Sequence, residues 1–260
     1  MTCNDVIKVL EVLAPPSFAE KWDNVGLLVG RGDKQVKKVM IALDATENVI
    51  DQAIAMNVDM LITHHPLLFS AIKRITEEDF IGRRLLKLCK HDICYYAMHT
   101  NFDVMGMADA AADEMRLKEI EVLEVTYEDD ISKEGIGRVG ILSREMSLKE
   151  CAEICKKAFG LENVRVFGEP DKIIDRVAIS PGSGKDFIDR AIVKQADVLI
   201  TGDIGHHAGI DAMEQGLAII DAGHYGLEKI FIPYMVDAFA RELPEMKVLC
   251  AREQSPFYVV

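Results

Sequence analysis

Histidines and carboxylates recur in this sequence at the ends of two similar apolar runs. Val58-Asp59-Met60-Leu61-Ile62-Thr63 leads into His64-His65-Pro66, and His99-Thr100-Asn101-Phe102-Asp103 follows later. Ala196-Asp197-Val198-Leu199-Ile200-Thr201 leads into Gly202-Asp203, with His206-His207 close behind and His224-Tyr225-Gly226-Leu227-Glu228 further on. Shifted by 138 positions, Val39, Ile41, Ile50, Asp51, Ala53, Ile54, Asp59, Leu61, Ile62 and Thr63 all meet identical residues, ten matches in a 25-residue window. A shift of 125 positions superposes His99 on His224 and Asp103 on Glu228. The chain is internally duplicated, and the imidazoles and carboxylates at corresponding points of the copies are donor types that bind divalent metals.

Successive side chains of a strand point to opposite faces, so His64 and His65 diverge, and from a strand's end they can reach two adjacent ions. Pro66 holds His65 extended. His224 and Glu228 are four apart and share one face of any helix that begins there; His99 and Asp103 have the same spacing. A carboxylate can bridge two cations with its two oxygens and an imidazole cannot, which makes Glu228 the natural bridging ligand. About two or three protein ligands per ion would leave positions for water and substrate, as catalytic sites need, whereas structural zinc is closed by cysteines and histidines.

Other candidates carry a plainer reading beside the chemical one. An isolated His99 would more often be a hydrogen-bonded core residue. His206-His207 either joins the cleft or begins a helix that flanks it, and His91 sits where its partial charge suits a helix C-terminus. Cys151 and Cys155 share a helical face with Leu148 and Ala152, which favours packing over redox or metal chemistry. Ser180-Pro181-Gly182-Ser183-Gly184-Lys185-Asp186 is either a simple tight turn or an anion cradle, and it lacks the spacing of a nucleoside-triphosphatase loop.

The elements that must position these residues alternate. The spacing of apolar residues predicts a helix over 4–13 capped by Asn4 and stopped by Pro15-Pro16, then a Gly-punctuated turn and short strand over 22–30. Strand 39–43, helix 47–57, strand 59–63, helix 77–91, strand 93–97 and helix 109–116 complete the first copy. The second reads strand 138–142, helix 147–159, strand 176–180, helix 185–195, strand 198–201, helix 206–215, strand 218–221 and helix 227–241, with a last strand over 247–250. Glu119 to Asp130 reads as a connector. The fold class is therefore α/β, with helices packed on parallel-rich mixed sheets in two repeats, 1–125 and 126–260, the C-terminal elements packing back on the first. Ligands in such folds sit beyond the carboxyl ends of the strands, where His64, His65, His99 and His224 all fall.

Composition narrows the classes of function. Hydrophobic residues are 49% of the 260, yet no run approaches about 18 uncharged apolar residues, so no membrane span is expected. The start, Met1-Thr2-Cys3-Asn4-Asp5, lacks an export signal, and six cysteines without one are expected as reduced thiols in a cytoplasmic protein with no disulfide. A formal net charge of −13 opposes non-specific binding to nucleic acid.

Ile62-Thr63-His64-His65-Pro66, His99 to Asp103, Thr201-Gly202-Asp203 and Gly223 to Glu228, with Asp23-Asn24-Val25-Gly26-Leu27 near the start, closely resemble the NIF-three-like family, whose members are often labelled GTP cyclohydrolase 1 type 2 homologues. The resemblance spans nearly the whole chain. It implies two intertwined α/β repeats and a dinuclear divalent-metal site: His64 and Asp103 on one ion, His65 and His224 on the other, Glu228 shared, and His99 as a proton carrier. It also implies a toroidal homohexamer; the extra domain that some members carry midway has no room here. Two functions are expected in competition. One is a metal-dependent hydrolase acting on a nucleotide or related small molecule, with His99 and Glu228 at the chemistry. The other is a non-catalytic, metal-dependent binding or scaffold ring. The mixed ligand set excludes none of zinc, iron, manganese or magnesium.

Overall fold

Strands that are buried along their whole length are the local signature of a parallel sheet covered on both faces. The run Met60–Thr63 and its repeat Val198–Gly202 are both of this kind. A computed structural model describes residues 1–260. Its strands are β1 (Gly26–Val29), β2 (Lys38–Ala42), β3 (Met60–Thr63), β4 (Cys94–Ala97), β5 (Lys118–Glu128) and β6 (Lys133–Ser147). They continue as β7 (Arg165–Phe167), β8 (Ile173–Ser183), β9 (Val198–Gly202), β10 (Ala218–Asp221) and β11 (Lys247–Cys250).

The chain forms two compact units. The first comprises Met1–Phe102 with Phe231–Gln254 and the second Asp103–Ile230 with Ser255–Val260. In the first unit the sheet order is β1-β4-β3-β2-β11; the four strands from β4 to β11 run parallel and β1 closes the edge antiparallel. Met40, Ile50, Leu61, Leu85 and Tyr95 fill its core against the helices Glu47–Ala55 and Phe80–Lys90. The helix Cys3–Leu13 is capped by Thr2 and not Asn4: the Thr2 hydroxyl accepts from Asp5 N while the Asp5 carboxylate accepts from Thr2 N at 2.9 Å. That reciprocal box satisfies two end donors where a lone asparagine would satisfy one.

In the second unit the order is β5-β6-β8-β9-β10-β7, with β8, β9 and β10 parallel and the remaining pairings antiparallel. The connector expected over Glu119–Asp130 is strand β5, an edge strand paired with β6 through a turn in which the Asp129 carboxylate accepts from Ile131 N and Ser132 N. Glutamates alternate there with Ile120 and Val122, a strand period obscured by its charge, and charge is what keeps an exposed edge from pairing with another chain. The helix expected over 227–241 is two helices, His224–Glu228 and Phe231–Glu242. Pro233 has no N–H to give and fits a helix only in its first turn, so the second helix starts just before it.

Candidate functional site

The strand ends of the first unit gather three imidazoles. His64 is fully buried directly after β3, and His65, half-buried, extends the ladder by one step through its N–H to Leu43 O at 3.0 Å. The turn that follows is tied by Tyr95, whose hydroxyl donates to His65 O at 2.9 Å and accepts from Leu67 N at 2.8 Å. Burial pushes the Tyr95 phenol well above its usual range, so it stays a donor. His99 follows β4. Ring centroids lie 4.9 Å apart for His64 and His65, 5.3 Å for His64 and His99, and 5.6 Å for His65 and His99. One ring nitrogen of each lies within 4.8 Å of the others.

Each ring is held by its Nδ1. His64 Nδ1 meets Met98 O at 2.8 Å, His65 Nδ1 meets Asp44 Oδ1 at 3.0 Å and His99 Nδ1 meets Asp23 Oδ1 at 2.9 Å. Carbonyl and carboxylate oxygens only accept, so Nδ1 carries a proton in all three, and in the neutral form of each ring Nε2 has the lone pair that a metal would take. Burial works to raise the Asp23 carboxyl, but hydrogen bonds from His99 and Thr100, with the charge of His99, outweigh it and hold Asp23 at about 2. Asp44 is fixed in turn by Glu253, whose carboxylate accepts from Leu43 N at 2.7 Å and Asp44 N at 3.1 Å.

The second unit repeats the device with different partners. Asp203 follows β9 in the left-handed region (φ 60°) and accepts from His224 Nδ1 at 2.8 Å. His224 opens the short helix His224–Glu228, whose one turn brings its Nε2 to 2.9 Å from Glu228 Oε2. With Nδ1–H given to Asp203, Nε2 faces a carboxylate, and that contact is attractive when Nε2 carries a proton or a cation lies between them. Glu228 is buried, and an oxygen of Asp103, the first residue of the π-helical turn Asp103–Met107, lies within 4.8 Å of one of its own. Two ionised carboxylates at that separation repel by on the order of 3 kcal/mol at an effective dielectric constant of about 20. A divalent cation removes the repulsion, so the donor set fits a metal. Gly182, at φ 83°, makes room for Glu228: a Cβ there would stand 2.5 Å from its Oε1.

Among the weaker candidates, His206 and His207 are exposed at the start of the helix His206–Glu214 and join neither cluster, and His91 caps Phe80–Lys90 in solvent. Cys151 and Cys155 are fully buried, and burial pushes both thiols up to about 12, as packing residues require. The Ser180–Asp186 segment is not an anion loop opening a long helix. β8 runs on to Ser183, and a 3-10 turn precedes only the six-residue helix Ile188–Val193. What the sequence reading missed is the orienting set, Asp23, Asp44 and Asp203. A carboxylate just beyond a parallel strand next to one that ends in histidine is the signal for Asp44.

Residues 1–256 match the family Duf34/NIF3 (NGG1p interacting factor 3), and the chain belongs to it. It is 39% identical over 230 residues to the GTP cyclohydrolase 1 type 2 homolog of Clostridium perfringens, covering 88% of this chain and 87% of that one. The Bacillus subtilis relative of the same name is 30% identical over an alignment of 346 positions, longer than this chain, covering 93% and 91%. Among solved structures, a Bacillus cereus protein related to NIF3 superposes with a TM-score of 0.91 at 26% identity, covering 100% and 99%. Reduced HcgD from Methanocaldococcus jannaschii does so with 0.85 at 34%, covering 97% and 98%. No helix is long and apolar enough to cross a membrane.

Proposed function

We propose that this chain is a dinuclear, divalent-metal-dependent hydrolase of a nucleotide or related small molecule, with His64 and Asp103 serving one ion, His65 and His224 the other, and Glu228 both. The observation that carries the reading is the common orientation of the imidazoles. His64, His65 and His224 each commit Nδ1 to a protein acceptor and so present Nε2 as a ligand atom. Such outer contacts fix the tautomer and raise the basicity of a ligating histidine. Bound cations would supply Lewis acidity and a nucleophile from water at neutral pH.

The rest of the chemistry belongs to the chain. His99, braced by Asp23 as the other rings are braced, takes or gives a proton at Nε2, and Asp23 stabilises the imidazolium as it forms. Glu228, buried and close to Asp103, holds its two oxygens for the shared position. The name borne by the relatives points to ring opening of GTP, and phosphoesters and cyclic amides suit the same donors. The assembly proposed with this site is a homohexameric ring. The test is metal analysis of the purified protein, followed by a screen of the loaded protein against nucleotides, phosphoesters and cyclic amides. Two ions per chain with turnover of one class supports the reading; one ion per fully loaded chain refutes the dinuclear set. Full loading without turnover would make the protein a binding ring.

A further inference from the structure

Two large aromatic side chains stand in solvent beside the clustered histidines of the first unit. Trp22 is 61% exposed and Phe69 54% exposed, whereas Tyr95, Tyr96, Phe102 and Phe231 of the same unit are fully buried. Both exposed rings meet His99 nearly perpendicularly, Trp22 with centroids 5.9 Å apart at 73° and Phe69 at 5.5 Å and 85°. Neither is on a slack loop. Glu20 N donates to Thr100 Oγ1 at 2.8 Å on one side of Trp22, and Asp23 holds Thr100 and His99 on the other. Asn24 Nδ2 donates to Leu68 O at 2.7 Å, which ties the backbone that carries Trp22 to the backbone that carries Phe69.

Rings fixed on anchored backbone, with their apolar faces left in water, form a preorganised stacking surface. We infer that Trp22 and Phe69 are the recognition wall of the site and stack a purine-sized heteroaromatic ring of the substrate beside His99. This rests on the reading of the His99 cluster as a substrate site. The rings supply affinity for the heteroaromatic part, and a formal net charge of −13 adds no long-range attraction for phosphates. A stacked ring also comes alongside the imidazole that moves the proton, which a protein partner seated on the same rings would block.

Trp22 is the only tryptophan in the chain, so intrinsic fluorescence reports this position alone. The full-length, manganese-loaded protein is titrated with guanosine and, separately, with ribose 5-phosphate. Saturable quenching by guanosine and none by ribose 5-phosphate is expected. By equilibrium dialysis, Trp22→Ala and Phe69→Ala should each weaken guanosine binding about tenfold with metal content unchanged, while Trp22→Phe retains it. Absence of saturable guanosine binding overturns the inference, as does affinity indifferent to both alanine substitutions. A Trp22 emission that shifts with protein concentration and is not quenched would also overturn it, since a second copy would then cover the wall. Metal content and turnover of the wild type, measured on the same preparations, judge the hydrolase reading separately.

Discussion

The carboxyl ends of β3 and β9 are the same place in two copies of one design, yet they carry different chemistry. Where the first copy has His64-His65, the second has Gly202-Asp203 at the 138-residue shift, and where the first has Asp44, the second has Gly182. The first strand end presents two imidazoles and lets Asp44 brace one of them. The second withdraws its side chains: Gly202 lets the backbone of His224 approach so closely that a Cβ would stand 2.4 Å from its nitrogen, and Asp203 has become the brace. Duplication preserved the order of the three parallel strands while the residues just beyond their ends diverged. The pair at the 125-residue shift shows the same drift, since His99 is braced by Asp23 from β1's approach and His224 by Asp203 from its own sheet.

The comparison is broken most severely at His99. His99→Ala should leave metal content nearly intact and lower turnover by about two to four orders of magnitude, the usual contribution of general acid–base catalysis. Loss of metal would recast His99 as a ligand equivalent to His224. Glu228→Gln should weaken both ions by more than about a hundredfold, beyond what loss of an outer contact does, while Asp103→Asn weakens mainly one. Equal loss from both, measured by chelator competition, would contradict a shared position. The braces should have intermediate effects: Asp44→Ala and Asp203→Ala are each expected to cost about 10- to 100-fold in affinity, and mainly for the one ion assigned to His65 and His224.

Gly182 sharpens the comparison because the chain supplies its own control. Gly216 has φ 85° against 83° for Gly182, but a Cβ at Gly216 meets nothing within 4 Å. Alanine at either site should cost about 1–2 kcal/mol of stability from the left-handed backbone, read as a lower thermal midpoint. Only Gly182→Ala should also weaken metal binding, and parity between the two would show that Glu228 simply turns aside. The smallest effect is in acid. Asp23, near 2 against an ordinary value of 3.8, binds its proton less readily folded than unfolded. Its contribution, on the order of 2 kcal/mol, is therefore complete above pH 3.8 and is lost as the pH falls toward 2. In chelator-treated protein, Asp23→Asn should flatten the stability profile across that window; an unaltered slope would assign the acid sensitivity elsewhere.

Much of this was legible in the residues. Apolar runs followed by histidine marked β3 and β4, and the shift of identities foretold that β2 and β3 would be matched by β8 and β9. What escaped had physical reasons. The glutamates of β5 masked a period-two pattern, and Pro233 was read through although it fits only the start of a helix. The braces escaped because a carboxylate's hydrogen bond to a distant histidine depends on which strands are neighbours, and no local spacing records that. Gly182 escaped for the opposite reason, since its contribution is the atom it lacks.

The clamp of Glu253 on Leu43 and Asp44, with the pairing of β11 on β2, has a consequence for the birth of the protein. Residues 103–230 hold the second unit's entire sheet as one continuous stretch, which can assemble while the ribosome is still translating. The first unit begins earlier but lacks an edge strand and the anchor of the Asp44 loop until residue 253 has emerged. Domains generally mature in the order of synthesis. Here residues 1–102 must wait as an open sheet until residues 231–254, which carry their last strand, have been made.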